Sequence, residues 1–208
     1  MKSYFVKTPK IIQNIFSNYT WKIATNKKEI YLTFDDGPIP EITPWVLNTL
    51  SKFNAKVTFF CVGDNVQKHP RIFKQILDQK HAVGNHTFNH LEGWKTNTEA
   101  YLNNIEKTEE LIQNSKIFRP PYGKIKPKQA KFLINKGYQI IMWDVLSADY
   151  NQTISQKKCY QNVIKNAANG SIIVFHDSEK AFKNLEYTLP KVLAYFTEKG
   201  FVFKALSI

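Results

Sequence analysis

The chain has 208 residues, which suits a single domain with a buried core, and 43% of them are hydrophobic, which excludes an intrinsically disordered protein. The formal net charge of +12 comes almost entirely from lysine, and arginine, the residue that most often reads bases and clamps phosphates, occurs only at Arg71 and Arg119. We therefore expect no nucleic-acid binding. Because no run approaches the roughly 18 apolar residues of a membrane-spanning helix, we also expect no transmembrane segment.

The first 28 residues begin with basic side chains but lack the apolar core and the small-residue cleavage site of a signal peptide. The sequence therefore indicates a cytoplasmic protein or leaves its location open. Apolar residues in this segment predict an amphipathic arm over residues 1–28, packed on a domain over residues 29–208. Because lysines accompany them, a helix on a membrane surface, with peripheral membrane association, is the alternative. The apolar positions are Phe5, Ile11, Ile12, Ile15, Phe16 and Trp21.

Seven short runs rich in β-branched and aromatic residues predict strands, and longer amphipathic stretches between them predict helices. This alternation is typical of an α/β domain with a parallel sheet, either an open doubly wound sheet or a barrel close to the (β/α)8 type with one unit missing. Cys61 and Cys159 lie far apart and match no metal-binding spacing, so we expect two free thiols. The predicted strands cover residues 29–34, 56–62, 81–85, 116–119, 138–143, 171–176 and 201–206, and the predicted helices cover residues 42–53, 71–80, 97–115, 128–137 and 189–200.

Chemically active side chains follow most of these strands. Asp35 and Asp36 come directly after the first predicted strand, and His86 and His90 follow the third. Because the carboxyl ends of parallel strands meet at one rim of the sheet, these side chains should lie close together and build a site there. The same rim is predicted to receive Arg119, Trp143, Asp144, His176 and Asp177.

The segment HTFNH places His86 and His90 four residues apart, a spacing that brings two imidazoles together on one helical turn. The segment lacks the glutamate base of H-E-x-x-H metalloproteases. One carboxylate of Asp35 and Asp36 could complete a metal site of two histidines and one acid, and the other could accept a proton from water. Neighbouring carboxylates repel unless a cation takes up one of them, and Arg119 could hold the second one ionised.

Each of these motifs also has an ordinary structural interpretation. Paired histidines occur by chance on protein surfaces, and Asp-Asp-Gly is a common turn. Together with His176, which ends another predicted strand, they favour a metal site. His176 itself is either a core histidine or, across the metal from the carboxylate base, a general acid.

Five segments, taken in order, resemble the motifs of the polysaccharide deacetylase family, which is carbohydrate esterase family 4 and is defined by the NodB homology domain. The resemblance extends from about residue 29 to the C-terminus. It implies a NodB-like α/β fold, a distorted (β/α)7 barrel in a single domain with an N-terminal arm, and this agrees with the seven predicted strands. The five segments are TFDDGP, HTFNH, RPPYG, WDVLSADY and IIVFHD.

The resemblance also implies roles for the residues of the predicted rim. Asp36, His86 and His90 would bind a divalent metal, most often Zn2+, with Co2+ or Ni2+ as alternatives. Asp35 would be the catalytic base, and Arg119 would hold that base in place.

Two further roles and an activity follow from the resemblance. The backbone N–H of Tyr122 would stabilise the oxyanion, and His176 would protonate the leaving amine. The implied activity is metal-dependent hydrolysis of N-acetyl groups on an acetylated glycan, either peptidoglycan or a chitin-like oligosaccharide. The alternatives are an acetyl-ester or small-molecule amide hydrolase of the same superfamily and a catalytically silent glycan-binding protein. Nothing in the sequence indicates an oligomeric state.

The fourth segment departs from the family pattern at two positions. Leu146 stands where the pattern has an aspartate that supports the acid histidine, and Tyr150 stands where it has a tryptophan. Asp144, Asp149 or Asp177 could replace the missing carboxylate.

Flat apolar side chains near the rim are candidates for stacking on sugar rings. Trp143 ends a predicted strand, so packing in the core is an equal alternative for it. We predict substrate contacts at Pro121, Trp143, Tyr150 and Trp94.

Overall fold

The computed structural model describes residues 4–112 and 115–207. In this part of the chain, eight strands form one curled parallel sheet, which eight α-helices and a short 3-10 turn connect and cover. The strands are β1 Glu29–Asp35, β2 Thr58–Cys61, β3 Ala82–Asn85, β4 Ile117–Phe118, β5 Gln139–Ile140, β6 Val145–Leu146, β7 Ile172–His176 and β8 Val202–Phe203. The helices are α1 Lys10–Ile15, α2 Ile42–Ser51, α3 Gly63–Lys68, α4 Pro70–Asp78, α5 Thr98–Glu109, α6 Pro127–Asn135, α7 Gln156–Ile164 and α8 Glu179–Glu198, and the 3-10 turn is Pro121–Gly123.

The sheet has the order β5-β4-β3-β2-β1-β7-β6, with β8 beside the start of β1, and every strand pair is parallel. The prediction of a distorted α/β barrel is therefore confirmed. Strand β1 lies at the centre of the sheet, and its last residue, Asp35, pairs in register with Phe60 of β2 and His176 of β7. The strand order thus places two of the predicted rim residues side by side at the carboxyl edge.

One face of β1 packs apolar side chains into the core of the domain. Leu32 and Phe34 are fully buried, and the Phe34 ring stacks on those of Phe59 and Phe175, with centroid distances of 5.2 and 5.9 Å. The same cluster contains Leu189 of α8. The opposite face of β1 carries Thr33 and Asp35, which are also buried, and both accept hydrogen bonds from Arg119. Strand β1 is therefore covered on both faces, as is usual for a parallel strand.

Several elements differ from the predicted ones. Strand β6 was not predicted, so the sequence predicts seven strands where the described residues form eight. Helix α8 begins at Glu179 and not at Leu189, and it continues through Pro190. Proline is costly inside a helix, but Leu185 and Val192 are fully buried on either side of it and hold the helix against the sheet. Helices α3 and α7 were not predicted.

Three further predictions concern the helix at residues 97–115, the two cysteines and membrane-spanning helices. The predicted helix 97–115 is helical over Thr98–Glu109, and its residues 113 and 114 lie outside the described part of the chain. Cys61 and Cys159 are both buried free thiols, as predicted. Among the helices of the described residues, none combines the length and apolar character that crossing a bilayer requires.

The two edge strands of the sheet, β5 and β6, both receive partners from the N-terminal segment. Thr20 forms a parallel bridge with Ile141, just after β5, and Lys7 forms an antiparallel bridge with Val145 in β6. The Thr20 N–H donates to the carbonyl of the last β5 residue at 2.8 Å. The segment therefore satisfies backbone groups that would otherwise form exposed sheet edges.

An ion pair between an exposed lysine and a buried aspartate attaches the N-terminal segment to the sheet. Lys7 Nζ lies 2.5 Å from Asp144 Oδ2, and the Ser171 hydroxyl donates to the same oxygen at 2.6 Å. The Asp144 side chain is only 3% exposed, and its backbone carbonyl accepts the Thr8 N–H at 2.9 Å. The boundary between arm and domain at residue 28 remains a prediction, and residues 1–3 of that arm lie outside the described residues.

Asp144→Ala should lower the free energy of unfolding by about 2 kcal/mol, because it removes a buried acceptor that both Lys7 and Ser171 use. The control is Asp78→Ala, since Asp78 pairs with Lys74 at 2.6 Å on the exposed surface of α4 and its loss should cost less than about 1 kcal/mol. Equilibrium urea unfolding measures both values. Equal losses in the two variants would contradict the anchoring role of Asp144.

Candidate active site

Asp35 is the last residue of β1, and only 3% of its surface is exposed. Its buried charge is paired with that of Arg119. Arg119 Nη1 donates to Asp35 Oδ1 at 2.7 Å, and Arg119 itself is fully buried. Within the described residues, no hydrogen bond reaches Asp35 Oδ2. A carboxylate with a fixed cation on one oxygen and a free second oxygen is suited to accept a proton.

The Arg119 guanidinium also donates hydrogen bonds to two backbone carbonyls and one hydroxyl group. Its Nε donates to Ile141 O at 3.1 Å and its Nη2 to Met142 O at 2.9 Å. Its Nη1 also donates to the Thr33 hydroxyl at 2.6 Å, and the guanidinium lies 4.1 Å from the centroid of the Phe60 ring. Because all three guanidinium nitrogens are bonded, the positive charge is fixed in position and direction.

Asp36, His86 and His90 form a cluster in which one ligand atom from each residue lies within 4.8 Å of the others. Asp36 Oδ1 is 3.2 Å from His90 Nε2 and 3.9 Å from His86 Nε2. This oxygen is buried and accepts no hydrogen bond within the described part of the chain. Such an oxygen costs free energy unless a cation lies beside it. One carboxylate and two imidazoles are a donor set that Zn2+ accepts, so the residues fit a divalent cation.

A hydrogen bond decides which nitrogen of His86 can bind a metal. His86 Nδ1 lies 2.7 Å from the Arg119 carbonyl oxygen, and because a carbonyl only accepts, Nδ1 must carry the proton. Nε2 therefore presents its lone pair toward Asp36. Burial lowers the pKa of His86 to about 4, which keeps the ring neutral at physiological pH.

The segment that carries both histidines is a loop, so the prediction of a helical turn is wrong. Thr87 and His90 have positive φ angles of 62° and 55°, which a helix does not allow. The Asn85 side chain accepts the Thr87 N–H at 2.9 Å, and the Thr87 hydroxyl accepts the Leu91 N–H at 2.9 Å. This bent loop still brings the rings of His86 and His90 to a centroid distance of 5.0 Å.

Asp177, predicted as a rim residue and as one candidate for the missing carboxylate, positions the loop that carries Asp36. Its Oδ1 accepts the Gly37 N–H at 3.1 Å, and its Oδ2 accepts the Thr43 hydroxyl at 2.6 Å. A Cβ atom on Gly37 would lie 2.0 Å from Asp177 Oδ2, so only glycine fits there. Asn65 Nδ2 donates to the Asp36 carbonyl at 2.8 Å. Burial raises the pKa of Asp177 to about 8, as expected for a carboxyl group withdrawn from water.

The end of β7 carries the candidate general acid. His176 Nδ1 lies 2.8 Å from Asp149 Oδ1, and the His176 backbone N–H donates to Asp149 Oδ2 at 2.8 Å. Burial lowers the pKa of His176, but the Asp149 carboxylate, with further contributions from Asp36 and Asp35, raises it to about 9. The ring is therefore protonated at neutral pH and can donate a proton.

Asp149, which is fully buried, supplies the carboxylate that supports the acid histidine. Leu146, where we expected the loss of that support, is 5% exposed and packs against Val174 in an apolar cluster. Asp144 binds the N-terminal segment, and Asp177 binds the loop after β1. Of the three candidates for the replacement, the structure therefore places Asp149 on the histidine.

The RPPYG segment forms a tight turn beside the metal-ligand cluster. Tyr122 has a positive φ of 60°, and the following Gly123 N–H donates to the Pro120 carbonyl at 2.9 Å. Within the described residues, the Tyr122 N–H donates to no backbone carbonyl. The Tyr122 ring is 61% exposed and meets His90 edge-on at a centroid distance of 4.7 Å. The turn therefore leaves a backbone donor available near the cluster, as an oxyanion site requires.

The four residues predicted to contact substrate lie in different surroundings. The Tyr150 ring lies 5.1 Å from that of the acid histidine. Trp143 is half-buried among apolar clusters, with its ring 5.9 Å from the Arg119 guanidinium, and Pro121 is buried in the turn. Trp94 is 59% exposed and donates its indole N–H to a backbone carbonyl at 3.1 Å. Their contacts with substrate remain predictions.

Known proteins share both the sequence pattern and the fold of this chain. A family model described as polysaccharide deacetylase matches residues 22–141. A peptidoglycan-N-acetylglucosamine deacetylase of Bacillus cereus is 36% identical over 194 residues, which cover 90% of this chain and 70% of the relative. The peptidoglycan-N-acetylmuramic acid deacetylase PdaA of Bacillus subtilis is 30% identical over 190 residues, which cover 88% of this chain and 71% of the relative. The crystal structure of a peptidoglycan N-acetylglucosamine deacetylase in complex with 4-naphthalen-1-yl-N-oxidanyl-benzamide is 36% identical, gives a TM-score of 0.86 and covers 91% of each chain.

His86→Ala should lower the affinity for Zn2+ by at least about 100-fold, because it removes the nitrogen whose lone pair is fixed toward Asp36. His69→Ala is the matched control, since His69 precedes α4 and belongs to no cluster of potential ligands in the described residues, and its affinity should not change. Isothermal titration calorimetry on metal-free protein measures both. Wild-type affinity in His86→Ala would contradict the proposed ligand set.

Proposed function

The chain belongs to the polysaccharide deacetylase family, and we propose that it hydrolyses the N-acetyl group of N-acetylglucosamine residues in peptidoglycan with the help of a bound divalent cation. As a member of this family it is a hydrolase of carbon–nitrogen bonds in a glycan. The names of the relatives support peptidoglycan as the substrate.

One observation carries the proposal: a buried carboxylate fixed by a guanidinium lies next to a cluster of metal-binding side chains. Asp35 is held by Arg119, and Asp36, the next residue, contributes to the cluster. His176 lies in register with Asp35 on the neighbouring strand. A proton acceptor and a proton donor therefore face one place from adjacent strands, as amide hydrolysis requires.

Asp36, His86 and His90 would hold the cation, which we propose to be Zn2+, with Co2+ or Ni2+ as alternatives. When bound, a divalent cation lowers the pKa of water toward neutrality and polarises the carbonyl group that is attacked. The orphaned Asp36 oxygen and the fixed tautomer of His86 support this assignment.

Asp35 would accept the proton of the attacking water through its free Oδ2. Arg119 holds Oδ1, so the carboxylate cannot rotate away and its second oxygen stays directed into the site. The Tyr122 N–H would donate to the oxyanion that forms as water adds to the acetyl carbonyl.

His176 would then deliver a proton to the amine nitrogen as the carbon–nitrogen bond breaks. Its Nδ1 is bonded to Asp149, so the ring presents Nε2 for this transfer. Acetate and a free amine on the sugar are the products. The aromatic ring of Tyr150 beside His176 would contact the sugar.

Two alternative functions are a catalytically silent glycan-binding protein and an acetyl-ester hydrolase. A catalytically silent glycan-binding protein was considered because Leu146 replaces an acidic residue, but Asp149 supplies the carboxylate to His176 and removes that reason. An acetyl-ester hydrolase would act on acetylated xylan or an aryl acetate and release no amine from N-acetylglucosamine oligomers. Comparing these substrates separates the two hydrolase activities.

Asp35→Asn should lower kcat for acetate release from peptidoglycan or N-acetylglucosamine oligomers by about 1000-fold, because the amide cannot accept the proton. Release is measured in the presence of Zn2+ or Co2+, together with the free amine formed. The affinity for Zn2+ should persist in the variant, which distinguishes loss of the base from loss of the fold.

Asp64→Asn is the matched control for that experiment. Asp64 pairs with Lys68 at 2.6 Å on the surface of α3, so this variant should keep the wild-type rate. A rate in Asp35→Asn equal to that of the control would rule out Asp35 as the base.

Asp149→Asn should move the alkaline limb of the pH profile of kcat/KM to lower pH by about one to two units. As the general acid, His176 must be protonated, so activity falls as the pH rises through its pKa. The Asp149 charge raises that pKa to about 9, and removing the charge lets burial lower it. Asp78→Asn, on the exposed face of α4, should leave the limb in place. An unmoved limb in Asp149→Asn would mean that another group sets it.

A further inference from the structure

Two stretches of the chain concentrate positive charge. Residues 1–28 contain six lysines and no acidic residue, and residues 111–143 contain six lysines, Arg119 and again no acidic residue. Arg119 is buried in the site, so the exposed charge of the second stretch comes from its lysines. Lys116, Lys124 and Lys136 of the second stretch pair with acidic residues of other segments, so its excess positive charge lies on the remaining lysines, at positions 126, 128 and 131.

The fold places the two stretches side by side. A groove of about 330 Å³ runs between the segment that follows α1 and helix α6. Phe16 and Tyr19 line it on one side, and Ala130, Lys131 and Ile134 line it on the other. The two basic stretches therefore adjoin along this groove, and we call the surface formed by α1, residues 16–19 and the adjoining side of α6 the basic face.

Helix α1 presents apolar side chains to solvent on this face. Ile11 and Ile15, one turn apart, are 68% and 67% exposed, and Phe16, directly after the helix, is 42% exposed. Ile12 points the other way and packs against the cluster that contains Trp21. The helix is thus attached to the protein by one side, and its other side is left without a cover.

Both helices of the basic face carry lysines without an acidic partner in the described residues. Lys10 precedes Ile11 on α1, and Lys128 and Lys131 lie one turn apart on α6. Within residues 4–112 and 115–207 none of the three forms an ion pair, whereas Lys136, at the end of α6, pairs with an acidic residue of α5. The face therefore joins exposed apolar groups with free ammonium groups.

We propose that α1, residues 16–19 and the adjoining side of α6 form a docking surface for an anionic lipid bilayer. This inference goes beyond the proposed function, since none of these side chains belongs to the catalytic site. Apolar side chains of a surface helix enter the boundary between headgroups and acyl chains, and lysines bind anionic headgroups. A soluble polyanion would engage the lysines alone and leave Ile11 and Ile15 in water, so a bilayer fits the whole face better.

Sedimentation of the full chain with lipid vesicles tests the docking surface. Vesicles of mixed phosphatidylglycerol and phosphatidylcholine should bind it at least about tenfold more tightly than pure phosphatidylcholine vesicles. Ile11→Ser with Ile15→Ser, and separately Lys128→Gln with Lys131→Gln, should each weaken binding to the mixed vesicles roughly tenfold.

Matched controls keep the test specific. Val202→Ser replaces an apolar side chain that is 54% exposed on β8, and Lys157→Gln with Lys158→Gln removes two exposed charges from α7, so both should bind like wild type. Deacetylation of soluble N-acetylglucosamine oligomers should be the same in all variants, which separates docking from the proposed function. If the isoleucine variant fails to fold, the lysine variant and its control decide the outcome.

Three results would overturn the proposal. Wild-type protein that does not sediment with the mixed vesicles has no such surface. Equal losses in the α6 and α7 lysine variants would show attraction by net charge alone. Undiminished binding in a folded Ile11→Ser/Ile15→Ser variant would show that the face binds polyanions without inserting into lipid.

Discussion

A buried guanidinium connects the proposed proton acceptor of the site with one of the proposed metal ligands. The Arg119 side chain binds Asp35 Oδ1, and the Arg119 backbone carbonyl accepts the proton of His86 Nδ1. A buried charge is tolerated only when its hydrogen-bonding groups are satisfied, and the carbonyls of Ile141 and Met142 complete that requirement. Because Arg119 directly follows strand β4, the sheet fixes both the base and the ligand through one residue.

Strained backbone is concentrated where these side chains converge. Asp36, Thr87, His90 and Tyr122 all have positive φ angles, although none is glycine. Such conformations cost on the order of 1 to 3 kcal/mol each and persist when their surroundings hold them in place. The buried Asp177 carboxyl group, bonded to the loop after β1, is one such restraint. Packing in the barrel thus stabilises loops that could not hold these shapes alone.

Much of the rim could be predicted, because the residue after each parallel strand must lie at the carboxyl edge. Strand order brings Asp36 and His86 to the same edge of the sheet, and the loop after β3 adds His90 to the cluster. The shape of the histidine loop could not be predicted, since a spacing of four residues suits both a helix and a bent loop. The contact of Asp149 with His176 joins separate parts of the chain, and no local pattern encodes it. Strand β6 was missed because only four residues separate it from β5, and the two short strands share one stretch of the sequence.

In the proposed mechanism, Asp36 binds the metal while Asp35 stays free to accept a proton. Anomalous X-ray diffraction at the zinc absorption edge tests this most directly, on crystals grown with Zn2+. We expect one anomalous peak about 2.0 to 2.2 Å from Asp36 Oδ1 and from the Nε2 atoms of His86 and His90. Asp35 should remain bonded to Arg119 and outside the coordination sphere. A zinc ion coordinated by Asp35, or bound only elsewhere on the protein, would contradict this division of roles.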